Sequence, residues 1–280
     1  MTAASDHVAA QSALRRCTNN IEVALRMLIR PVRGPVRDFW PLAWRQIAIG
    51  VVGGLAIFLF CMVAIDAAVI RGVGHLPQWV TWCFDQITDF GKSGWFLWPL
   101  GLLFLGLAVL PPVLPRIQQQ VLAAVMVRIG FLFIAIGAPS LFDTIIKRMI
   151  GRARPLMTGV LDPYLFSPFV WRADYASLPS GHATTAFAAL VAFGTLWPRT
   201  RSVMWIYALV IAVSRVVVTA HYPSDVLAGA AVGTVGALIV RRWFALRHLG
   251  LSVDRGDAIR QWPGPSWRRI KAVARGLLSE

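Results

Sequence analysis

Residues 47–70 read IAIGVVGGLAIFLFCMVAIDAAVI, and Asp66 is the only charged residue among them. An α-helix of about 20 apolar residues crosses the hydrocarbon core of a bilayer, so this stretch is interpreted as a membrane span. Comparable stretches follow at about 92–113, 121–142, 183–198, 203–219 and 225–245. Charged residues make up 15% of the chain, well below the roughly 25% of a soluble domain. The sequence therefore predicts an all-α bundle of six transmembrane helices.

The net charge of +15 is concentrated at the two ends of the chain. Seven Arg lie in residues 1–46, and nine Lys or Arg lie in residues 241–280. Basic segments beside membrane spans are typical of cytoplasmic ends that face anionic lipid. Within them, 13–30 and 267–278 mix apolar with basic residues, which predicts amphipathic helices lying in the membrane interface. We therefore expect anionic lipids, and not nucleic acid, as the partners of the basic termini.

These patterns divide the chain into three parts. They are a cytoplasmic amphipathic N-terminal segment (1–46), a six-span membrane domain (47–245) and a basic amphipathic tail (246–280). An even number of crossings puts both termini on one side, so we expect a multi-pass protein of the cell (inner) membrane with cytoplasmic ends. The connections then expected on the outer side are 71–91, 143–182 and 220–224.

The second outer connection contradicts the usual excess of positive charge on the cytoplasmic side. Its basic residues are Lys147, Arg148, Arg152, Arg154 and Arg172. The inverted topology would place both basic termini outside, which is a larger violation, so we prefer the outer side for this connection. Its cations then require a reason, and binding of an anion is a sufficient one.

Three polar segments fall at the outer ends of the predicted spans. They are Lys147-x6-Arg154-Pro155, Pro179-Ser180-Gly181-His182 and Ser214-Arg215-x5-His221-x3-Asp225. Lys and Arg beside a span are commonly interface anchors, but a guanidinium also binds phosphate through two parallel hydrogen bonds. Because a residue before proline favours extended backbone, Arg154 can turn its side chain toward such a site. Together the segments supply cations, imidazoles, a carboxylate and a hydroxyl, which suits the binding and cleavage of a phosphate ester.

The second segment also has a structural interpretation, since Ser180 suits the N-cap of the fourth span. Both interpretations hold together, because a helix N-terminus offers free N–H groups and a positive dipole end to an anion. Gly181 allows phosphate to approach the backbone closely, and His182 adds a proton donor at the same place.

The third segment is the most specific of the three. An Arg at the edge of an apolar helix usually has a partner. Pro223 suits a first helical turn, which places His221 just before the sixth span and Asp225 in its opening turn. A carboxylate at that distance can hold one imidazole nitrogen and leave the other as a nucleophile.

In this order and spacing, the three segments resemble the signature of the type 2 phosphatidic acid phosphatase (PAP2) superfamily. The resemblance covers about 147–225 by motif and implies a metal-independent phosphatase, without a cofactor, that works through a phosphohistidine. We expect His221 to attack phosphorus, Asp225 to orient it and His182 to protonate the leaving oxygen. The residues expected to hold the phosphate are Lys147, Arg154, Ser180, Gly181 and Arg215.

A site at the mouth of a membrane bundle predicts an amphiphilic substrate, a lipid phosphate or a polyprenyl diphosphate. The candidates are undecaprenyl diphosphate, phosphatidic acid, phosphatidylglycerol phosphate and a lipid A phosphate. A lipid phosphotransferase would share every motif. A lipid transporter or flippase would need polar groups within the spans, where Arg128 and Asp66 are the candidates and neither has an evident partner in the sequence.

Overall fold

The computed structural model describes residues 42–109, 116–157, 159, 161–254 and 256–278, together with isolated positions between 15 and 32. The amphipathic helix predicted at 13–30 lies outside the continuously described ranges. The helices are α1 (Trp44–Phe60), α2 (Asp66–Val73), α3 (Gln78–Thr88), α4 (Gly94–Val109), α5 (Arg116–Ile150), α6 (Gly181–Leu196), α7 (Arg201–Val217), α8 (Pro223–Leu246) and α9 (Trp267–Leu278). A π-helical turn over Cys61–Ile65 joins α1 to α2 without a break.

Four helical stretches are long and apolar enough to cross a membrane: 44–73, 117–150, 198–217 and 223–246. The most hydrophobic stretch of the first has no buried residue, so its apolar side chains suit contact with lipid tails. The chain is therefore an integral membrane protein. Helices α4 and α6, which fall within two of the six predicted spans, have only 16 residues each. The count of six crossings thus stays a prediction.

The described residues form two compact units, of which one includes 98–133 and 241–280. In this unit the polar side chain of Arg128 is satisfied, since its guanidinium donates to the carbonyls of Ala124 at 2.8 Å and Trp262 at 2.9 Å. Arg128 therefore has partners that the sequence did not reveal, and its position in an apolar helix does not require a transported ion.

The basic tail contains β-structure that the all-α prediction missed. Strands β1 (Leu251–Val253) and β2 (Ile259–Gln261) pair antiparallel, with Ser252 opposite Arg260. The connection closes on the carboxylate of Asp254, which accepts the backbone N–H groups of Gly256 and Ala258 at 2.9 and 3.0 Å. Such short strands carry little periodic signal in a sequence. The following helix α9 occupies the residues predicted for it, 267–278.

The second unit, 38–97 and 134–240, contains the three polar segments. Its core is formed where α6 packs on α7, through buried side chains of Ala186, Phe187, Leu190, Ala208, Ile211 and Ala212. Small residues alternate with large ones across this contact, which lets the two helices pack closely. The contact fixes the first turn of α6 and the last turn of α7, and these two turns carry the second segment and the start of the third.

Helix α8 packs on α6 at the backbone level through two glycines four residues apart. A Cβ added at Gly229 or Gly233 would collide with the carbonyl oxygens of Ser180 or Thr184. The hydroxyl of Thr184 also donates to the Gly229 carbonyl, at 3.2 Å. This spacing of small residues is typical of closely crossing membrane helices, and it places Asp225 beside the N-terminus of α6.

The substitution Gly233→Val is expected to destabilise the protein by at least about 2 kcal/mol, because the added atoms meet rigid backbone and not a movable side chain. Thermal unfolding in detergent micelles measures this effect. Gly53→Val is the matched control, since no atom lies within 4 Å of a Cβ at Gly53. Equal unfolding temperatures for the two variants would contradict the close crossing of α6 and α8.

Candidate active site

The structure places Lys147 in the last turn of α5 and not in the outer connection, where the sequence analysis expects it. The helix extends beyond the predicted span because residues 143–150 contain no Gly or Pro and the chain turns only at Gly151. Gly151 has φ of +64°, and a Cβ there would meet the carbonyl of Ser167. Lys147 Nζ lies 2.5 Å from Asp143 Oδ2, one turn earlier. This ion pair fixes the ammonium group at the end of the helix.

Arg154 is held by extended backbone in the connection after α5. Its N–H donates to the carbonyl of Asp174 at 2.8 Å, and the N–H of Ala153 donates to the carbonyl of Leu165 at 2.9 Å. The Arg154 side chain is half-buried, and this burial is the largest of the effects that lower its pKa. The guanidinium stays charged. Because it has lost part of its hydration, it gains from contact with an anion.

The first turn of α6 brings the second segment together. Ser180 occupies the N-cap position, and its N–H donates to the backbone carbonyl of Asp225 at 3.0 Å. Its hydroxyl makes no capping hydrogen bond, although the sequence predicts that role for it. A Cβ at Gly181 would lie 3.0 Å from Lys147 Nζ, so the helix N-terminus and the ammonium group are neighbours. An anion placed here would meet both.

His182 is the second residue of α6 and is half-buried. Gly91 packs against its ring, since a Cβ there would lie 2.8 Å from His182 Cδ2. Burial, as the largest effect, lowers the pKa of His182 from 6.5 to about 3, and the neighbouring cations Arg215 and Lys147 lower it further. No described residue forms a hydrogen bond with the ring, which leaves both of its nitrogens available to a ligand.

Arg215 lies in the last turn of α7 and is 7% exposed. Its Nη1 donates to Thr88 Oγ1 at 2.5 Å. The carbonyl of Arg215 accepts the N–H groups of Ala220 and His221 at 3.1 and 3.2 Å. These two bonds close the connection between α7 and α8, and they bring His221 back beside Arg215.

His221 is 3% exposed and its orientation is fixed through Nδ1. This nitrogen lies 2.7 Å from the carbonyl oxygen of Ser177, whereas Asp225 Oδ2 is 3.8 Å away, beyond hydrogen-bond distance. A carbonyl oxygen only accepts, so Nδ1 carries the proton. The sequence analysis assigns this contact to Asp225, and in the structure the Ser177 carbonyl makes it. The other ring nitrogen, Nε2, then has a free lone pair.

Burial, as the largest effect, lowers the pKa of His221 from 6.5 to about 4. The Asp225 carboxylate opposes this shift, and the cations Arg215 and Arg154 add to it. The imidazole is therefore neutral at physiological pH, which is the form that can act as a nucleophile.

Asp225 is fully buried and its two carboxylate oxygens are fully engaged. Oδ2 accepts from Ser177 Oγ at 2.6 Å and from the N–H of Tyr222 at 2.9 Å. Oδ1 accepts from Arg152 Nη1 at 2.6 Å. Asp225 thus positions the segment around His221 through Ser177 and the backbone, and its charge lies near the imidazole.

Arg152 joins Asp225 to Asp66, the charged residue of the first apolar stretch. Its Nη2 is 2.8 Å from Asp66 Oδ2, and its Nε and Nη2 both donate to the carbonyl of Pro163. Asp66 also accepts the hydroxyl of Ser224 at 2.5 Å and its N–H at 2.9 Å. Arg152, Asp66, Ser224 and Asp225 are all 0% exposed. Asp66 therefore has the partner that the sequence did not show.

The sequence analysis missed several residues of this site, namely Asp66, Thr88, Asp143, Arg152, Ser177 and Ser224. A usable signal existed for Asp66, because a carboxylate within an apolar span requires a buried partner. The partner itself is distant in sequence. Arg152 could have been proposed only by elimination among the cations of one connection.

Three buried polar atoms of the predicted phosphate-binding set have no hydrogen-bond partner among the described residues. They are Arg154 Nε, Ser180 Oγ and Arg215 Nε. Buried donors are normally satisfied, and each unsatisfied one costs about 1–3 kcal/mol. Three such atoms within the predicted phosphate-binding set indicate that these residues suit a ligand rich in acceptors.

Comparison with known proteins gives a family match that extends over all three segments. The model of the PAP2 superfamily matches residues 128–249. The lipid A 1-phosphatase of Rhizobium johnstonii is 32% identical over 73% of this chain and 82% of the relative, and that of Rhizobium etli is 34% identical over 74% and 84%. The decaprenylphosphoryl-5-phosphoribose phosphatase of Mycobacterium tuberculosis is 35% identical over 64% of this chain and 86% of the relative.

Proposed function

The chain belongs to the PAP2 superfamily, a family of membrane lipid phosphatases, and from this premise we propose that it hydrolyses a lipid phosphate through a phosphohistidine at His221. The observation that carries the proposal is the set of unpartnered donors on Arg154, Ser180 and Arg215. A phosphate group supplies acceptor oxygens with which these unpartnered donors can form hydrogen bonds. Its negative charge is matched by Lys147 and by the N-terminus of α6.

In the first step, Nε2 of His221 attacks phosphorus and the bond from phosphorus to the leaving oxygen breaks. The Nδ1–H bond to the Ser177 carbonyl, at 2.7 Å, supports this assignment because it fixes the tautomer with a free Nε2. Lys147, Arg154, Arg215, Ser180 and the N–H of Gly181 would hold the non-bridging oxygens. They meet the charge of the transition state without a metal ion.

A bound phosphate favours the protonated form of His182 through its negative charge. Protonated His182 is proposed to donate its proton to the leaving oxygen, so that a neutral hydroxyl group departs. A water molecule then gives up a proton to His182 and attacks the phosphohistidine, which releases inorganic phosphate and restores the neutral His221. The absence of a hydrogen-bond partner for the His182 ring among the described residues supports this role, since the ring remains free to contact the substrate.

The proposed substrate is a lipid A phosphate, which the relatives named lipid A 1-phosphatase favour among the candidates. The proposed location is the outer face of the cell membrane, with both termini cytoplasmic. The basic ends of the chain support that orientation. The exposed indoles of Trp79, Trp95 and Trp171 suit a site near the lipid headgroups.

The proposal is tested by phosphate release from lipid A, phosphatidic acid, phosphatidylglycerol phosphate and undecaprenyl diphosphate, with purified protein in excess EDTA. We expect the release of phosphate from lipid A to be unaffected by EDTA. Loss of all release in EDTA, with recovery on addition of a divalent cation, would contradict the metal-independent mechanism. Analysis of the lipid products separates hydrolysis from transfer, because a phosphotransferase yields a newly phosphorylated acceptor lipid in place of free phosphate.

The acidic limb of the pH profile of kcat/KM, which reports the protonation of His221, is expected near pH 4. Protonated His221 has no lone pair on Nε2, and the pKa of this residue is lowered from 6.5 to about 4, so the neutral fraction falls only near that pH. The profile should be measured with a phosphate monoester and with a diphosphate as substrate. An acidic limb that comes from titration of a group on the enzyme appears with both substrates. A shared acidic limb near pH 6.5 would contradict the buried neutral imidazole.

A further inference from the structure

An open cavity of about 570 Å³ lies between α3 and the connection from α7 to α8. The side chains of Gln78, Thr81, Trp82 and Asp85 line it from α3, and Thr219 lines it from the connection. Thr219 lies between Arg215 and His221 in the chain, so one wall of the cavity is the segment that positions the proposed nucleophile. The volume falls within the usual range for a site that binds a small molecule.

Helix α3 joins this cavity to the phosphate site along a single face. Thr81, Asp85 and Thr88 follow each other at spacings of four and three residues, and residues so spaced lie one above the other on a helix. Thr81 and Asp85 line the cavity, and Thr88 Oγ1 accepts the hydrogen bond from Arg215 Nη1 at 2.5 Å. A group bonded to a phosphate held by Arg215 therefore has the cavity next to it.

The backbone conformation of Thr219 supports a ligand-binding role for this wall of the cavity. Thr219 has φ of +52°, a conformation that a β-branched residue rarely adopts and that is costly to maintain. Such strain is found preferentially at ligand-binding positions. The Thr219 side chain, the Asp85 carboxylate and the Gln78 amide have no hydrogen-bond partner among the residues that the structure describes. The cavity thus presents hydrogen-bonding groups that the protein itself leaves unused.

From these observations, and resting on the proposed function, we infer that the cavity binds a hydroxyl-bearing sugar ring to which the scissile phosphate is attached. A carboxylate, an amide and hydroxyls bind sugar hydroxyl groups, and the face of Trp82 offers a flat apolar surface to the ring. Trp82 is 63% exposed, so a flat surface of the indole remains open to a ligand. Diacylglycerol and polyprenyl leaving groups have no free hydroxyl to offer these side chains.

The inference is tested by measuring kcat/KM on lipid A bearing a 1-phosphate and on phosphatidic acid, in the same micelles. We expect Asp85→Asn and Trp82→Ala each to lower the ratio of the two values about tenfold, because each removes a contact to the sugar that phosphatidic acid cannot make. The Asp85 charge also acts on Arg215, but this effect applies to both lipids and cancels in the ratio. The matched control is Trp79→Ala. Trp79 is on the same helix, is 70% exposed and does not line the cavity, so its loss should leave the ratio unchanged.

The outcomes separate this inference from the proposed function. If the wild-type protein is active but kcat/KM of Asp85→Asn and Trp82→Ala falls equally on both lipids, the sugar site alone is overturned. A ratio that falls as much in Trp79→Ala as in Trp82→Ala also overturns it. Wild-type protein that releases phosphate from no lipid overturns the proposed function, and the sugar site with it.

Discussion

Replacing His221 with Ala is expected to lower the turnover number on every lipid phosphate by about 10³-fold or more. Nε2 of this residue is the proposed nucleophile, and its position depends on the bond from Nδ1 to the Ser177 carbonyl. Water in the space left by the ring is not held in line with phosphorus, so it attacks far more slowly than the positioned imidazole. The measurement is phosphate release at saturating substrate, with His75→Ala as the matched control. His75 is exposed after α2, so its variant should keep wild-type turnover.

Thermal unfolding separates a catalytic loss from a loss of structure. His221→Ala removes a single hydrogen bond and the packing contacts of one imidazole ring, so the protein should still fold. It should also bind orthovanadate, which resembles the transition state in shape and charge. A variant that folds, binds orthovanadate and keeps full turnover would contradict the assignment of His221.

Replacing Arg152 with Met is expected to have the largest effect on stability, about 3–5 kcal/mol. Removal of the guanidinium leaves the carboxylates of Asp66 and Asp225 buried without their cation, and both are 0% exposed. The effect should appear as a much lower unfolding temperature in detergent and as loss of activity, since Asp225 positions the segment around His221.

A double-mutant cycle tests whether this loss comes from the ion network. Asp66→Asn in the Arg152→Met background removes one of the two uncompensated charges, so the double variant should be more stable than Arg152→Met alone. A surface pair supplies the matched control, because Arg172→Met removes an exposed partner of Asp174 and should change stability by less than about 1 kcal/mol. Equal stabilities of Arg152→Met and Arg172→Met would contradict the buried network.

The sequence predicts the long helices well because they depend on local patterns. Apolar stretches of sufficient length define the long helices of 44–73, 117–150 and 223–246. The three polar segments can be recognised in the sequence because phosphate chemistry requires particular residue types. In the structure their residues lie close together. The ends of the helices are harder to predict from the sequence. Lys147 lies in α5 because no Gly or Pro interrupts residues 143–150, and no simple count of hydrophobic residues shows where such a helix ends.

The supporting contacts escape prediction because they join distant parts of the chain. Asp66 and Ser224 are 158 residues apart, and Arg152 lies 86 residues from Asp66. Each looks like an isolated polar residue in the sequence. The Ser177 carbonyl that holds His221 is a backbone group, and a backbone group leaves no trace in residue identities. The tail strands are missed for a different reason, since three-residue strands have no usable periodicity.

The central claim is that the phosphoryl group passes through His221. Rapid quenching of wild-type protein mixed with ³²P-labelled lipid phosphate tests it directly, because a phosphohistidine is stable in base and labile in acid. We expect a base-stable labelled protein in the first turnover, with the label on a peptide that contains His221. His221→Ala should give no labelled protein. Full phosphate release with no labelled protein at any time, or a label that persists in His221→Ala, would contradict it.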